Sequence, residues 1–320
     1  MDSSMGSTYR PRKTLNEKVR RFLIREWRQR KWLYLMSLPM LAFFIIFSYM
    51  PMYGVVIAFK NYKPKKGILG SAWVGLRQFE LFFNSYYFVR ILRNTVVLSV
   101  SCMVFCFPAP IILALLLNEI GFSPYKRFVQ TITYMPYFIS MVVVCGLVRD
   151  FAAKDGVISY FVQLLGGTDK NLLTLEYAYR PLYIGSQLWQ YVGFDSIIYM
   201  AAISGVDAQL YEAGAIDGIT NRFQRAWYIT LPSIVPTITI LLILQIGGIM
   251  NVGYEKTLLL YNDGIMEVAD IISTFVYRKG LLEADYSYSA AVGLFNSVIN
   301  SLLLVIANAI SRRVSENSLW

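Results

Sequence analysis

The stretch Thr95–Leu117 reads TVVLSVSCMVFCFPAPIILALLL and contains no charged side chain. Each helical residue adds about 1.5 Å, so about 20 apolar residues cross a hydrocarbon core that is about 30 Å thick. The stretch therefore predicts a membrane-spanning helix. Five other stretches meet the same test: Trp32–Phe59, Thr131–Phe151, Pro181–Ser204, Ser233–Val252 and Ala290–Ile310.

The composition of the chain agrees with a membrane as its solvent. Hydrophobic residues make up 56% of the 320 positions and the mean hydropathy is +0.47, which is more apolar than a soluble domain of this size. We therefore predict an all-α integral membrane protein with six transmembrane helices. Histidine is absent, which excludes enzymes and metal sites that depend on an imidazole group. The cysteines Cys102, Cys106 and Cys145 lie in apolar stretches and are interpreted as buried packing residues.

The basic residues give the chain an orientation. The formal net charge is +10, and a basic cluster precedes the first apolar run. Its members are Arg10, Arg12, Lys13, Lys18, Arg20, Arg21, Arg25, Arg28, Arg30 and Lys31. Such a cluster holds a tail on the cytoplasmic side, so we expect no nucleic-acid partner. The sequence predicts a cytoplasmic tail at residues 1–31, a membrane domain at residues 32–310 and a cytoplasmic tail at residues 311–320.

Two connections between the predicted spans contain short helices of their own. The segment from Trp73 to Tyr87 is amphipathic and suits an interfacial helix. The connection 152–180 has turn signals on both sides of an apolar segment, Val157–Leu165, and is interpreted as a small external cap.

The loop between the fourth and fifth spans carries the most informative pattern and faces the cytoplasm in this topology. Leu210, Ala213, Gly214 and Asp217 share one narrow helical face. Gly218 then ends that helix. A second short apolar segment leads to Pro232, which is well placed as an early residue of the fifth span. The loop, residues 205–232, predicts a helix, a break and a second helix.

The same loop resembles the EAA signature of binding-protein-dependent ABC importers. That signature is Glu-Ala-Ala, three residues, Gly, nine residues, Ile, one residue and Leu-Pro. The matching residues here are Glu212, Ala213, Gly214, Gly218, Ile229, Leu231 and Pro232. Gly214 replaces the second alanine, and ten residues rather than nine separate Gly218 from Ile229. Other stretches resemble the oligosaccharide- and polysaccharide-importing branch of maltose-type sugar permeases: Trp73–Phe79, Leu92–Thr95, Arg127–Pro136, Asn251–Lys256, Ala291–Asn300 and Ser315–Trp320.

The resemblance implies an ABC type I importer permease fold, with both termini cytoplasmic, in a bacterial plasma membrane. It implies a second homologous permease subunit, two copies of a cytoplasmic ATPase, an extracellular solute-binding protein and a carbohydrate substrate, besides membrane lipid. The chain would have no catalytic residues. Its ATPase-coupling residues would be Glu212, Ala213, Gly214, Asp217, Gly218, Ile229, Leu231 and Pro232. No Gly-x-x-x-x-Gly-Lys-Ser/Thr loop is present, so we expect no cofactor or metal in this chain, with ATP and Mg bound by the partner ATPase.

Polar residues inside the predicted spans indicate a possible substrate path, because polar groups at membrane depth face a cavity or a partner. The candidates are Asp195, Gln187, Trp189, Gln190, Tyr191, Gln245, Asn251, Asn296 and Asn300. Amide and aromatic groups suit the hydroxyls and ring faces of a sugar. Hydrogen bonding between packed helices is the competing explanation.

Three other functions stay open at this point: an ion-coupled secondary transporter that uses Asp195, a scaffold or channel subunit, and a membrane enzyme. A basic patch, Lys60, Lys63, Lys65 and Lys66, is compatible with acidic oligosaccharides, although lysines near a bilayer also contact anionic lipid.

Overall fold

The computed structural model describes residues 15–314, and the side chains of residues 30–313. The first three members of the basic cluster and the stretch Ser315–Trp320 lie outside the described residues. The chain divides into two units, residues 1–56 and 57–320.

The described part of the first unit, from Leu15 onwards, is one long helical run. Helix α1, Leu15–Phe44, begins inside the predicted tail and leaves helical geometry at Arg30 (φ −119°, ψ 16°), just before the apolar run. Short helical segments continue it: Ile45–Tyr49, Met50–Met52 and Tyr53–Phe59. Trp32, Met36 and Met50 are exposed, as expected for a helix that has lipid around it.

The described part of the second unit, residues 57–314, is mostly helical and has one small antiparallel strand pair. In it, β1 (Lys60–Asn61) pairs with β2 (Ala72–Trp73). The longer helices in chain order are α2 (Arg77–Phe83), α3 (Tyr87–Cys106), α4 (Pro108–Asn118), α5 (Ser123–Tyr134), α6 (Met141–Ala152), α7 (Val157–Leu164), α8 (Glu176–Ser204), α9 (Ala208–Ile216), α10 (Arg222–Arg225), α11 (Leu231–Gly247), α12 (Tyr254–Leu260), α13 (Ile272–Tyr277) and α14 (Tyr286–Val314). Single turns occur at Gly67–Gly70 and Met266–Ala269. The predicted interfacial and cap helices therefore correspond to α2 and α7.

Four helical runs among the described residues are long and apolar enough to cross a membrane. They are Arg30–Phe59, Tyr87–Asn118, Arg222–Gly247 and Tyr286–Arg313. They confirm the predicted first, second, fifth and sixth spans. The fourth predicted span lies in α8, a single 29-residue helix. It is long enough to span but is less apolar, because it carries the polar row described below.

The third predicted span, Thr131–Phe151, is not one straight helix. Ser123–Phe138 and Met141–Leu164 meet at an angle of 98°. The backbone is extended at Ile139 and Ser140. Pro136 lacks an N–H group for the helical ladder, and the Ser140 hydroxyl accepts a hydrogen bond from the Val143 N–H at 3.4 Å, which begins α6. Apolar length alone does not reveal such a break.

Helix α8 is the centre of the second unit and packs against α3, α4, α5 and α11. Tyr179 and Tyr183 are among its largest buried side chains. Gly193 is buried where α8 crosses α5, and a Cβ atom there would overlap the Thr133 carbonyl group. Gly193 therefore allows α8 to lie close to the backbone of α5.

Candidate functional site

The predicted coupling loop folds as a helix, a turn and a second helix. Helix α9 is capped by Asp207, whose carboxylate accepts a hydrogen bond from the Gln209 N–H at 2.9 Å. The helix ends at Ile216, and Gly218, two residues later, has a φ of +87°. The Ile219 N–H donates a hydrogen bond to the Gly214 carbonyl oxygen at 2.8 Å. A left-handed glycine that closes a helix is the expected C-terminal cap, so the predicted helix and break are confirmed.

The two halves of the loop pack against each other. Gly214 is buried, and a Cβ atom there would lie 2.5 Å from Cδ1 of Ile229. The hydroxyls of Tyr211 and Thr230 share a hydrogen bond of 3.1 Å. The motif thus brings Gly214 and Ile229 together although fourteen residues separate them.

The remaining motif residues stay available at the surface of this chain. Glu212, Ala213, Asp217, Gly218 and Pro232 are exposed and Leu231 is half-buried. Two apolar side chains of α9, Leu210 and Ile216, are 49% and 88% exposed. An exposed apolar patch beside charged groups is typical of a protein interface.

An ion pair that the sequence did not indicate ties this loop to α4. The Arg225 guanidinium donates to the Glu119 carboxylate, and Arg222 donates to the Glu119 carbonyl oxygen at 3.3 Å. Glu119 follows directly after α4, so the only signal in the sequence is an acidic residue at the end of an apolar run.

A cavity of about 360 Å³ lies between α3, α4, α8 and the end of α11. Five of the nine predicted path residues line it: Gln187, Tyr191, Asp195, Gln245 and Asn251. The three on α8 are spaced i, i+4, i+8 and therefore follow one face of the helix. The predicted path is brought together at these five positions.

The other four predicted path residues do not line this cavity. Gln190 is buried and donates to the Ile139 carbonyl at 3.2 Å. Asn296 donates to Asn251 Oδ1 at 2.8 Å, and Asn300 accepts from the Met250 N–H at 3.0 Å. Trp189 is 47% exposed on another face of α8, because neighbouring helical residues are about 100° apart. Gln190, Asn296 and Asn300 thus bond to neighbouring segments, as the helix-packing explanation predicts, and Asn296 also lines a second cavity.

Sequence reasoning missed the charged residue behind the cavity, Lys256. It is 1% exposed, and its ammonium group donates to the Tyr183 carbonyl and to Gln187 Oε1, both at 3.1 Å. It also lies 4.7 Å from the centre of the Tyr183 ring. Burial lowers the pKa of Lys256 to about 8, so the amine is still mostly protonated at neutral pH. A lysine followed by the apolar run Thr257–Leu260 was the available signal.

The cysteine interpretation needs one correction. Cys145 is buried as predicted, but Cys102 and Cys106 are half-buried and line the cavity. They lie one helical turn apart on α3 and so face the same side. No group of three metal-ligating side chains occurs among the described residues.

The four lysines of the basic patch lie between the first two predicted spans and differ in their surroundings. The Lys60 ammonium donates to the Ile68 carbonyl at 2.7 Å and is held within its own loop. Lys63, Lys65 and Lys66 are exposed.

Comparison with known proteins identifies the family. Residues 106–316 match the model of the binding-protein-dependent transport system inner membrane component. The chain belongs to this family. It is 44% identical over 305 residues to the polygalacturonan/rhamnogalacturonan transport system permease protein YteP of Bacillus subtilis (strain 168), covering 95% of this chain and 94% of YteP. It is 44% identical over 291 residues to Protein LplB of the same organism, covering 91% of each chain.

A solved structure agrees with this assignment. The chain matches a chain of the crystal structure of a bacterial alginate ABC transporter in complex with alginate pentasaccharide-bound periplasmic protein. The TM-score is 0.84 at 40% identity, over 92% of this chain and 99% of the other. This binding-protein-dependent permease is therefore a non-catalytic membrane component of a bacterial transport system, which removes the secondary-transporter, scaffold and enzyme alternatives.

Proposed function

We propose that this chain is one of two permease subunits of an ATP-driven importer that moves an oligosaccharide or polysaccharide delivered by an extracellular solute-binding protein. Two copies of a cytoplasmic ATPase would bind ATP and Mg and supply the energy, and this chain would hold no cofactor. The names of YteP and of the alginate transporter support a saccharide substrate.

The observation that carries the proposal is the folded coupling loop. Its exposed charged residues Glu212 and Asp217 lie beside the exposed apolar side chains of Leu210 and Ile216. Gly214 and Ile229 pack together and hold the two halves of the loop in contact. A rigid, self-packed loop can be moved by a partner without unfolding. Because packed helices switch between discrete arrangements, closure of the ATPase pair would then reorient α8 and α11, which flank the loop.

The topology that we propose has six spans with both termini in the cytoplasm. In this topology the four apolar runs and the bent pair 123–138 and 141–164 would be five of the spans, and the 29-residue helix α8 would be the other. With six crossings, four of them before loop 205–232, that loop and the tails 1–31 and 311–320 would lie on the same side. The membrane domain is then residues 32–310.

Coexpression with the neighbouring permease and ATPase tests the proposal. We expect the ATPase to copurify, and we expect Glu212→Ala to lower ATP hydrolysis by the assembled complex about tenfold, because one contact to a charged group contributes about 1.5–3 kcal/mol. Gly218→Pro should abolish coupling, because a proline ring holds φ near −65° and Gly218 has +87°.

Gln224→Ala is the matched control, since Gln224 is also exposed on this loop but lies outside the motif. It should behave like the wild type. A complex that forms and hydrolyses ATP equally well with all three variants would contradict the coupling role, and the absence of any associated ATPase would contradict the importer itself.

A further inference from the structure

The buried lysine behind the cavity, Lys256, has no opposite charge beside it in the described part of the chain. Lys256 has no carboxylate within ion-pair distance among the described residues, unlike the buried Asp270, which pairs with Arg278 at 2.6 Å. An isolated buried charge is costly unless polar groups or a partner compensate it. Here two carbonyl-type oxygens and the face of Tyr183 take that role, and the positive charge itself stays unneutralised.

Lys256 also determines how Gln187 presents its amide to the cavity. Gln187 Oε1 accepts the hydrogen bond from the lysine ammonium, and an ammonium group can only donate. The amide oxygen is therefore turned towards Lys256, which leaves the Gln187 NH₂ group free. Since Gln187 lines the cavity, the cavity wall at this point offers a hydrogen-bond donor with a positive charge behind it.

The donor lies at the end of the cavity that is remote from the coupling loop. Helix α8 runs towards that loop and α11 runs away from it, so Gln187 lies farther from the loop than Asp195 does. Eight helical residues separate the two side chains by about 12 Å. Asn251 and Gly253, which follow α11, line the same remote end. A buried positive charge thus lies behind the end of the cavity where substrate would arrive, and the Asp195 carboxyl group lines the other end.

We propose that Lys256, acting through Gln187, selects saccharides that carry a carboxylate at this position, that is, uronate-containing chains. This inference rests on the proposed function. A carboxylate only accepts hydrogen bonds, so it fits an NH₂ group whose own amide oxygen is occupied, and the buried charge attracts it strongly in a medium of low dielectric constant. The exposed lysines of the external patch are screened by salt and discriminate much less.

The test uses the complete transporter, with its partner permease, ATPase and binding protein, in proteoliposomes with ATP. The probes are α-1,4-trigalacturonate and its trimethyl ester, which has the same sugar rings without the charges. Lys256→Met removes the charge, Lys256→Arg retains it, and Gln187→Glu turns the donor into a carboxylate. We expect the ratio of acid uptake to ester uptake to fall about tenfold in Lys256→Met and Gln187→Glu, a change of 1.4 kcal/mol, and to stay within about threefold in Lys256→Arg.

The outcomes separate this inference from the proposed function. An equal loss of acid and ester uptake in Lys256→Met, or the same loss of acid uptake in Lys256→Arg as in Lys256→Met, assigns Lys256 a purely structural role and overturns the inference. A wild-type transporter that prefers the ester overturns it as well. A wild-type complex that takes up neither probe, nor any other saccharide, overturns the proposed function first.

Discussion

Loop 205–232 and the cavity beside α8 were predicted by different kinds of reasoning and with different success. The loop residues lie within one segment, and Gly214, Gly218 and Ile229 occupy one local fold. The cavity is assembled from several helices, and only five of nine predicted residues line it. A local motif specifies its own geometry, whereas a cavity depends on which helix faces meet.

Glycine shows this difference at two places. Gly193 separates α8 from the backbone of α5, while Gly214 separates the loop from the end of one flexible isoleucine side chain. A backbone cannot move without shifting the whole helix, but a side chain can change its rotamer. Substitutions at these two positions therefore probe the packing of α8, which carries three of the predicted cavity residues, and the packing of the loop.

The largest effect is expected for Gly193→Ala. The new Cβ atom would overlap the Thr133 carbonyl group, and overpacking of this kind costs about 3 kcal/mol. We expect the yield of assembled complex to fall sharply and its thermal midpoint to drop, measured by gel filtration and thermal unfolding. Gly185→Ala on the same helix is the control, because no heavy atom lies within 4 Å of its Cβ position. Equal behaviour of the two variants would contradict the α5–α8 contact.

A smaller effect is expected for a substitution at the contact between the loop and the end of α4. Arg225→Glu places a second carboxylate against Glu119, whose side chain is 14% exposed. We expect ATP hydrolysis coupled to uptake to fall about tenfold, equivalent to 1.4 kcal/mol, while the complex still assembles. The double variant Glu119→Arg with Arg225→Glu, which exchanges the two charges, should restore most of the coupled ATP hydrolysis. If the exchange does no better than Arg225→Glu alone, the ion pair does not transmit motion.

The smallest effect is expected for Gly214→Ala, which also restores the second alanine of the EAA signature. Cδ1 of Ile229, at 2.5 Å from the new Cβ atom, lies at the flexible end of its side chain and can rotate. We expect activity within about twofold of the wild type, since tolerated substitutions change stability by about 0.5 kcal/mol. A loss as large as that of Gly193→Ala would show that the loop is as tightly constrained as the contact between α5 and α8.

The sequence predicted the membrane class, the four long apolar runs and the helix, break and helix of the loop. These features depend on the length of apolar runs and on local backbone preferences, and short segments of the sequence determine both. Asp207, Gly218 and Pro232 each influence where a helix begins or ends within a few residues of their own position.

Only the tertiary structure decided which polar groups share the cavity. Asn296 and Gln245 are both amides inside apolar helices, yet Asn296 bonds to Asn251 while Gln245 lines the cavity. The bend at Ile139, the ion pair between Glu119 and Arg225, and the placement of Lys256 behind Gln187 likewise depend on contacts between distant segments. The sequence by itself determines which residues can form helices and where polar groups occur along them. The packing of those helices determines which of these groups meet, because the direction of a side chain is set by the rotation of its helix against its neighbours.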